Sequence, residues 1–295
     1  MLPPQRIAIT GASGLIGSSL VGHLKSEGHT VQRLVRRKAS APDEISWDPT
    51  AGTVDLNALE GVNAVIHLAG AGVGDHRWTT KYRAEILNSR LLGTTTIANA
   101  VAQVKPQVFI SASAIGYYGE TGNRAVIESD RSGDDFLAAV CREWETAADP
   151  AGDVRTVKIR TGLVLDPTGG ALGRMLPLFR FGLGGKLGSG NQWWSWITLH
   201  DHIRATCHLL ESKISGPVNL TSPNPVTNQE FTSALARALH RPALLPAPAF
   251  ALKIALGGFS TEILGSKRVL PQALTDDGFN FDYPHVISAL AELVE

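Results

Sequence analysis

Gly11-Ala12-Ser13-Gly14-Leu15-Ile16-Gly17 follows the β-branched run Arg6-Ile7-Ala8-Ile9-Thr10. It opens a segment whose apolar residues, Leu15, Ile16, Leu20, Val21 and Leu24, recur at helical spacing. A glycine-rich turn between a strand and a helix lets the chain reverse tightly and lets its backbone approach a pyrophosphate. It also aims the free N–H groups of the helix N-terminus at that anion. The GxxGxxG spacing is a weak signal alone and a strong one in this strand–turn–helix setting. Gly11, Gly14, Leu15, Ile16 and Gly17 are therefore candidates for holding a dinucleotide.

Working outward, the same alternation repeats. Residues 29–35, 62–68, 108–110 and 154–159 read as further strands, and 84–104 and 135–148 as helices. Strands alternating with helices predict an α/β fold, a Rossmann-like doubly wound parallel sheet covered on both faces. Residues 1–165 are assigned to the nucleotide-binding domain. Residues 166–295 are assigned to a smaller C-terminal, substrate-side region sharing a continuous core with it. In that region 168–190 reads as a glycine-rich loop with one helical segment. Residues 201–211 read as a helix capped by Asp201, and Thr227-Asn228-Gln229-Glu230 as a capping box.

The end of the second strand selects the nucleotide. An acid there would hold the ribose 2′-hydroxyl of NAD. The sequence instead runs Leu34-Val35-Arg36-Arg37-Lys38. Guanidinium groups clamp a 2′-phosphate that a carboxylate would repel, so NADP(H) is the expected cofactor.

Composition narrows the classes further. The 295 residues carry 27 Lys+Arg and 27 Asp+Glu, so no excess charge is available for a nucleic acid. At 43% hydrophobic the chain is not disordered. Cys141 and Cys207 form no paired motif, which fits a reducing compartment. The strand begins so close to Met1 that no signal peptide is expected, and the apolar stretch 243–259 is broken by Pro246, Pro248 and Lys253. A cytoplasmic protein with a small-molecule substrate and no membrane partner is expected. Residues 243–264 read as core or as a subunit interface, and the oligomeric state stays open.

These residues resemble the extended short-chain dehydrogenase/reductase superfamily, through Gly11/Gly14/Gly17 and Ile66-His67-Leu68-Ala69-Gly70. More narrowly, the chain resembles an atypical epimerase-like family described as predicted nucleoside-diphosphate-sugar epimerases. The likeness runs through Asn88-Ser89-Arg90-Leu91-Leu92-Gly93-Thr94, Ser111-Ala112-Ser113-Ala114-Ile115-Gly116-Tyr117-Tyr118-Gly119 and Lys158-Ile159-Arg160-Thr161-Gly162-Leu163-Val164-Leu165, and on to Arg268-Val269-Leu270-Pro271. The resemblance implies that Arg36 contacts the 2′-phosphate with Arg37 beside it, and that Leu68, Ala69 and Gly70 line the cofactor. It implies that Val164 meets the nicotinamide end and that Glu85 and Arg90 face the cofactor. Five residues in a helix turn through about 140°, so spacing alone does not put Glu85 and Arg90 on one stripe.

The catalytic pattern departs from the superfamily. Its members use a Ser and a Tyr-x-x-x-Lys pair, in which the cation makes the phenol acidic enough to exchange a proton near neutral pH. The chain has four tyrosines, and the residues four places on are Ile86, Thr121, Gly122 and Ile287. By resemblance, Leu137 and Cys141 stand at the dyad positions. Ser113 matches the superfamily serine, and Tyr117 or Tyr118 is the aromatic acid nearest to it in sequence. Ser113 and Tyr117 are the catalytic candidates.

Other groups keep two readings. Trp193, Trp194 and Trp196 form a pocket wall or a core seam. Arg160, Arg174 and Arg180 bind an anionic group or sit on the surface. His200, His202 and His208 match no metal-ligand signature, so no metal is expected. The function expected is an NADP(H)-dependent oxidoreductase acting on a small carbonyl or alcohol. The alternatives are a non-catalytic NADP(H)-sensing regulator and a nucleotide-sugar epimerase.

Overall fold

The strand–helix alternation closes into a sheet. In the computed structural model residues 3–295 are described. Met1 and Leu2, on which the signal-peptide expectation partly rests, lie outside the described residues. In chain order the strands are β1 Arg6–Thr10, β2 Thr30–Val35, β3 Glu44–Asp48, β4 Thr53–Val54, β5 Ala64–His67, β6 Val108–Ala114 and β7 Ala125–Val126. They continue as β8 Thr156–Thr161, β9 Leu163–Asp166, β10 Trp193–Trp194, β11 Trp196–Thr198, β12 Gly216–Leu220, β13 Val226–Thr227 and β14 Arg268–Val269. Among the described residues, eight form the main sheet, in the order β12-β8-β6-β5-β1-β2-β3-β4. Every pairing in it is parallel except β3 with β4.

Alternate residues of these strands feed opposite faces, as a period of two requires. Ile7, Ile9, Ile66, Ile110 and Ile159 pack with Leu20 and Leu24 of the helix Leu15–Ser26 and with Ile203 and Leu209 of the helix Leu199–Glu211. Ala8, Val65 and Phe109 pack on the other face, with Ile97 and Val101 of the helix Thr80–Val104. The sheet is doubly wound as expected. Its order reverses at β1, with β5 on one side and β2 on the other, and ligands of such sheets bind beyond the strand ends at this point.

Several local expectations are refined. β3 and β4 are strands that the alternation did not announce. Gly216–Leu220, far beyond residue 165, joins the main sheet beside Thr156–Thr161, so both parts of the chain build it. A second core gathers Leu172, Leu176, Trp196, Phe231, Leu235 and Leu290 in the C-terminal part. The helix expected from Asp201 starts at Leu199, and its cap is Thr198, whose hydroxyl accepts from the Asp201 N–H at 3.0 Å. The buried Asp201 carboxylate instead accepts from the backbone N–H groups of Asp282 and Tyr283 at 3.0 and 2.9 Å. The Thr227–Glu230 capping box is present, with the Thr227 N–H donating to Glu230 at 2.7 Å. Within residues 243–264 the helix Ala249–Leu256 has no buried residue, whereas Ala243 packs against the second core and Ser260 is buried.

Candidate functional site

The turn after β1 is made of close backbone approaches. Gly11 has φ +69°, and a Cβ on it would lie 2.8 Å from the Leu68 carbonyl carbon. A Cβ on Gly17 would lie 2.1 Å from the Gly11 oxygen. Thr10 ties this turn to the loop after β5, its hydroxyl accepting from the N–H groups of Leu68 and Ala69 at 3.1 and 3.2 Å. With both lone pairs used, that hydroxyl donates its own proton to Nδ1 of the buried His67, 2.8 Å away. The helix that follows is capped by Gly14 with no side-chain bond. The N–H groups of Leu15, Ile16 and Gly17 thus face outward without helical acceptors. Gly11, Gly14, Leu15, Ile16, Gly17, Leu68, Ala69 and Gly70 are brought together at the switch point. The cradle and its open donors fit a dinucleotide pyrophosphate.

The basic run divides. Arg36 and Lys38 are exposed beside an open depression of about 410 Å³, which Trp47 and Thr53 also line. Arg37 is engaged: its terminal nitrogens donate to the two Glu44 oxygens at 2.8 and 2.6 Å. The run itself holds no acid, but the fold brings one to it. β3 pairs with β2 in a register that sets Glu44 opposite Arg33 and beside Arg37. The bond from Arg37 holds the Glu44 carboxyl down at about 2. Arg36 and Lys38 are the cations of the run with no carboxylate partner among the described residues.

Ser113 and Arg160 are register partners on β6 and β8. Between them and the helix Phe136–Thr146 lies Glu145. The Ser113 hydroxyl donates to Glu145 Oε1 at 2.7 Å. Arg160 donates to the same carboxylate through Nε at 2.8 Å and Nη2 at 2.9 Å. Arg160 Nη1 donates to the Tyr118 hydroxyl at 2.9 Å, and Tyr118 donates to Asn219 Oδ1 at 2.7 Å. The Arg160 guanidinium carbon stands 3.4 Å from the Tyr117 ring centroid. Arg160 is 2% exposed, so the surface reading of it is wrong. Burial works against its charge, and the two-point bond to Glu145 outweighs burial and keeps it protonated more firmly than usual. Burial pushes the Tyr118 phenol up to about 12.

A cation therefore adjoins Tyr117 and Tyr118, although no Lys stands four places after either. Pairing of β6 with β8 delivers that cation across 42 residues of sequence. The Ser113 proton is committed to Glu145, whereas the half-buried Tyr117 hydroxyl has no hydrogen-bond partner among the described residues. Leu137 and Cys141 pack against the Gly116 backbone, and burial drives the Cys141 thiol up to about 12.

Of the remaining candidates, Arg90 adjoins Gly70, where an added Cβ would lie 3.6 Å from its guanidinium carbon. Arg90 is buried, donating from Nη1 to the Ala71 and Ile86 oxygens at 3.0 Å and lying 4.6 Å from the Trp144 ring centroid. Glu85 is exposed, so the two do not meet. Val164 is half-buried on β9 against the core. Trp196 is in the core, whereas Trp193 is half-buried under Arg268, 4.3 Å from its ring centroid. Arg174 pairs with Asp75 at 3.3 Å and Arg180 is exposed. His200 and His208 bond Asp282 and Asp277, while His202 bonds Thr161.

Sequence reasoning missed Glu145 and Asn219 as members of the network. Ser113, Arg160 and Glu145 lie on three elements, and no spacing links them. A sequence signal existed only at Glu145, an acid on the core side of a helix whose neighbours Cys141 and Trp144 are buried.

Residues 7–221 match the NAD dependent epimerase/dehydratase family, and residues 247–293 match a domain of unknown function, DUF1731. An epimerase family protein of Mycobacterium leprae is 43% identical over 289 residues, covering 97% of this chain and 94% of that protein. The chloroplastic SDR39U1 homolog of Arabidopsis thaliana is 38% identical over 301 residues, covering 98% of this chain and 86% of that protein. The crystal structure of human epimerase family protein SDR39U1 with NADPH superposes with a TM-score of 0.90 at 32% identity, covering 98% of each chain. This chain belongs to the NAD dependent epimerase/dehydratase family, as an atypical extended short-chain dehydrogenase/reductase similar to SDR39U1.

Proposed function

We propose that this chain binds NADP(H) and acts as an oxidoreductase on a small carbonyl or alcohol. The observation that carries the reading is the glycine cradle at the switch point, with Arg36 exposed and unpaired among the described residues at the end of β2. The NADPH bound by human SDR39U1 supports it. Gly11, Gly14 and Gly17 would admit the pyrophosphate, the N–H groups of Leu15, Ile16 and Gly17 would bind it, and Arg36 would clamp the 2′-phosphate. Leu68, Ala69, Gly70 and Val164 would line the path to the nicotinamide. The cofactor, when bound, supplies the hydride. The protein's own part is the proton. Tyr117 is the group free to give one to a substrate oxygen, and the Arg160 guanidinium under its ring would stabilise the phenolate left behind. Ser113 acts one step back, as a positioning residue that holds Glu145 and so Arg160.

A second reading is favoured by Leu137 and Cys141 at the dyad positions: an NADP(H)-binding regulator without turnover. Epimerisation of a nucleotide sugar, the reading in the family's name, relies on the pair that this chain lacks. Titration with NADPH and NADH separates the cofactor claim from the rest. Arg36→Ala is expected to weaken NADPH at least about ten-fold, from the loss of a charged hydrogen bond, and to leave NADH nearly unchanged. Unchanged NADPH affinity would overturn the 2′-phosphate assignment. Stopped-flow NADPH oxidation over a panel of carbonyls, with Tyr117→Phe beside the parent, then tests turnover. Silence with every substrate, despite tight binding, favours the regulator.

A further inference from the structure

The segments 167–191 and 231–261 contain no Asp or Glu, although the chain as a whole has 27 acids for 27 bases. They carry Arg174, Arg180, Lys186, Arg237, Arg241 and Lys253. The fold lays the two side by side. The Leu245 N–H donates to the Gly184 oxygen at 3.2 Å, the Ala247 N–H to the Lys186 oxygen at 2.9 Å, and Arg241 Nε to the Arg180 oxygen at 3.1 Å. Large apolar side chains stand out from this junction. Leu244 is 81% exposed, Phe181 79%, Ile254 71% and Phe250 68%. Phe250 and Ile254 are four apart on the helix Ala249–Leu256 and share a face, with the exposed Lys253 beside them. Arg174 pairs with Asp75, but Arg180, Arg241 and Lys253 have no carboxylate partner among the described residues.

Single exposed apolar residues are ordinary, whereas several carried by two adjoining segments together with unpaired cations suit an interaction site. The charge says which occupant it suits. A second copy meeting this face by a two-fold axis would set the cations against themselves. A surface of anionic lipid headgroups complements both features: apolar side chains enter the headgroup–acyl boundary while Arg and Lys meet the phosphates. We propose that this face, built by residues 178–186 and 241–254, docks the protein peripherally on an anionic bilayer. It spans nothing: no helix among the described residues is long and apolar enough to cross a membrane. The expectation of no membrane partner rested on spanning hydropathy, which does not register such a face.

The test is co-sedimentation of the full chain with vesicles of phosphatidylcholine, with and without a third of phosphatidylglycerol, together with light-scattering mass in solution. Binding is expected only to the anionic vesicles and is expected to fall as salt rises. The doubles Phe250→Ser/Ile254→Ser and Arg180→Glu/Arg241→Glu should each weaken binding at least about ten-fold. NADPH titration of both variants, expected unchanged, shows that they are folded. It also keeps a failure here distinct from a failure of the cofactor assignment. Equal sedimentation with both vesicle types, or none with either, overturns the proposal. So does a dimer that the apolar double dissociates.

Discussion

The glycine cradle and the Arg160 network are both closely packed, and they are built in opposite ways. The cradle consists of backbone. Its contacts are the Gly17-to-Gly11 approach within one turn and the packing of that turn against residues 68 and 69 of the loop after the neighbouring strand β5. The network consists of side chains from several separated elements, and it is held by charge. A backbone site fails when any atom is added to it, while a charged side-chain site fails when one partner is taken away. The largest effect should therefore come from Glu145→Ala. It leaves the Arg160 guanidinium buried without its carboxylate, a loss of about 3–5 kcal/mol in folding stability. Urea unfolding should show that loss, with NADPH affinity of the folded fraction little changed. An undiminished midpoint would mean that Arg160 finds another partner. Replacing the pair together, as Glu145→Met/Arg160→Met, should recover much of the loss, because the penalty lies in the orphaned charge and not in the missing pair.

The converse experiment adds an atom. Gly17→Ala puts a methyl group 2.1 Å from the Gly11 oxygen, so the turn must open. The nucleotide-binding N–H groups would move with it. A weakening of NADPH binding by about a hundred-fold is expected, on the scale of 1.4 kcal/mol for each factor of ten. Fluorescence titration of the cofactor measures it. Stability should fall less than in Glu145→Ala, because no charge is stranded. A Gly17→Ala protein that bound NADPH normally would show that the pyrophosphate lies elsewhere.

The same contrast explains what the sequence makes legible. Gly11, Gly14 and Gly17 are local, and their requirement is conformational, so a pattern of seven residues discloses them. The parallel sheet follows from periodicities that are also local. β3 was not foreseen, since Glu44-Ile45-Ser46-Trp47-Asp48 is short and gains its place from pairing with β2. That one omission hid Glu44 and made Arg37 look free. Arg160 looked like a surface cation for a similar reason. Only the register of β8 against β6 reveals that Ser113 stands beside it and that Glu145 closes over both. The missing Tyr-x-x-x-Lys pair was legible by counting tyrosines. The cation that takes a place beside Tyr118 was not, because pairing across 42 residues leaves no trace in spacing.

A smaller effect reaches both regions through pH. His67 sits behind the cradle, bonded to Thr10, and its Nε2 has no partner among the described residues. His202 bonds Thr161 at the end of β8, on the strand that carries Arg160. Burial lowers the two imidazoles from 6.5 to about 3 and about 4, so both are neutral in the folded protein at neutral pH. In the unfolded chain each takes a proton as the pH passes below about 6.5. Unfolding then binds protons that folding must shed. Stability present in full above that pH is lost as the pH falls, for His202 until about 4 and for His67 until about 3. The expected slope is about 1.4 kcal/mol per pH unit for each ring. Glu44 and Asp43, both held near 2, contribute their own loss only below about 4.5. Urea unfolding between pH 6.5 and pH 5 thus reads mainly histidines. His67→Gln should remove about half of the slope attributable to the two rings, and with it the acid sensitivity of the cradle. His202→Gln should remove the other half and leave NADPH binding as it was. If both variants keep the parent's slope, neither ring is neutral by burial, and the tie from Thr10 to His67 does not set the tautomer assigned to it.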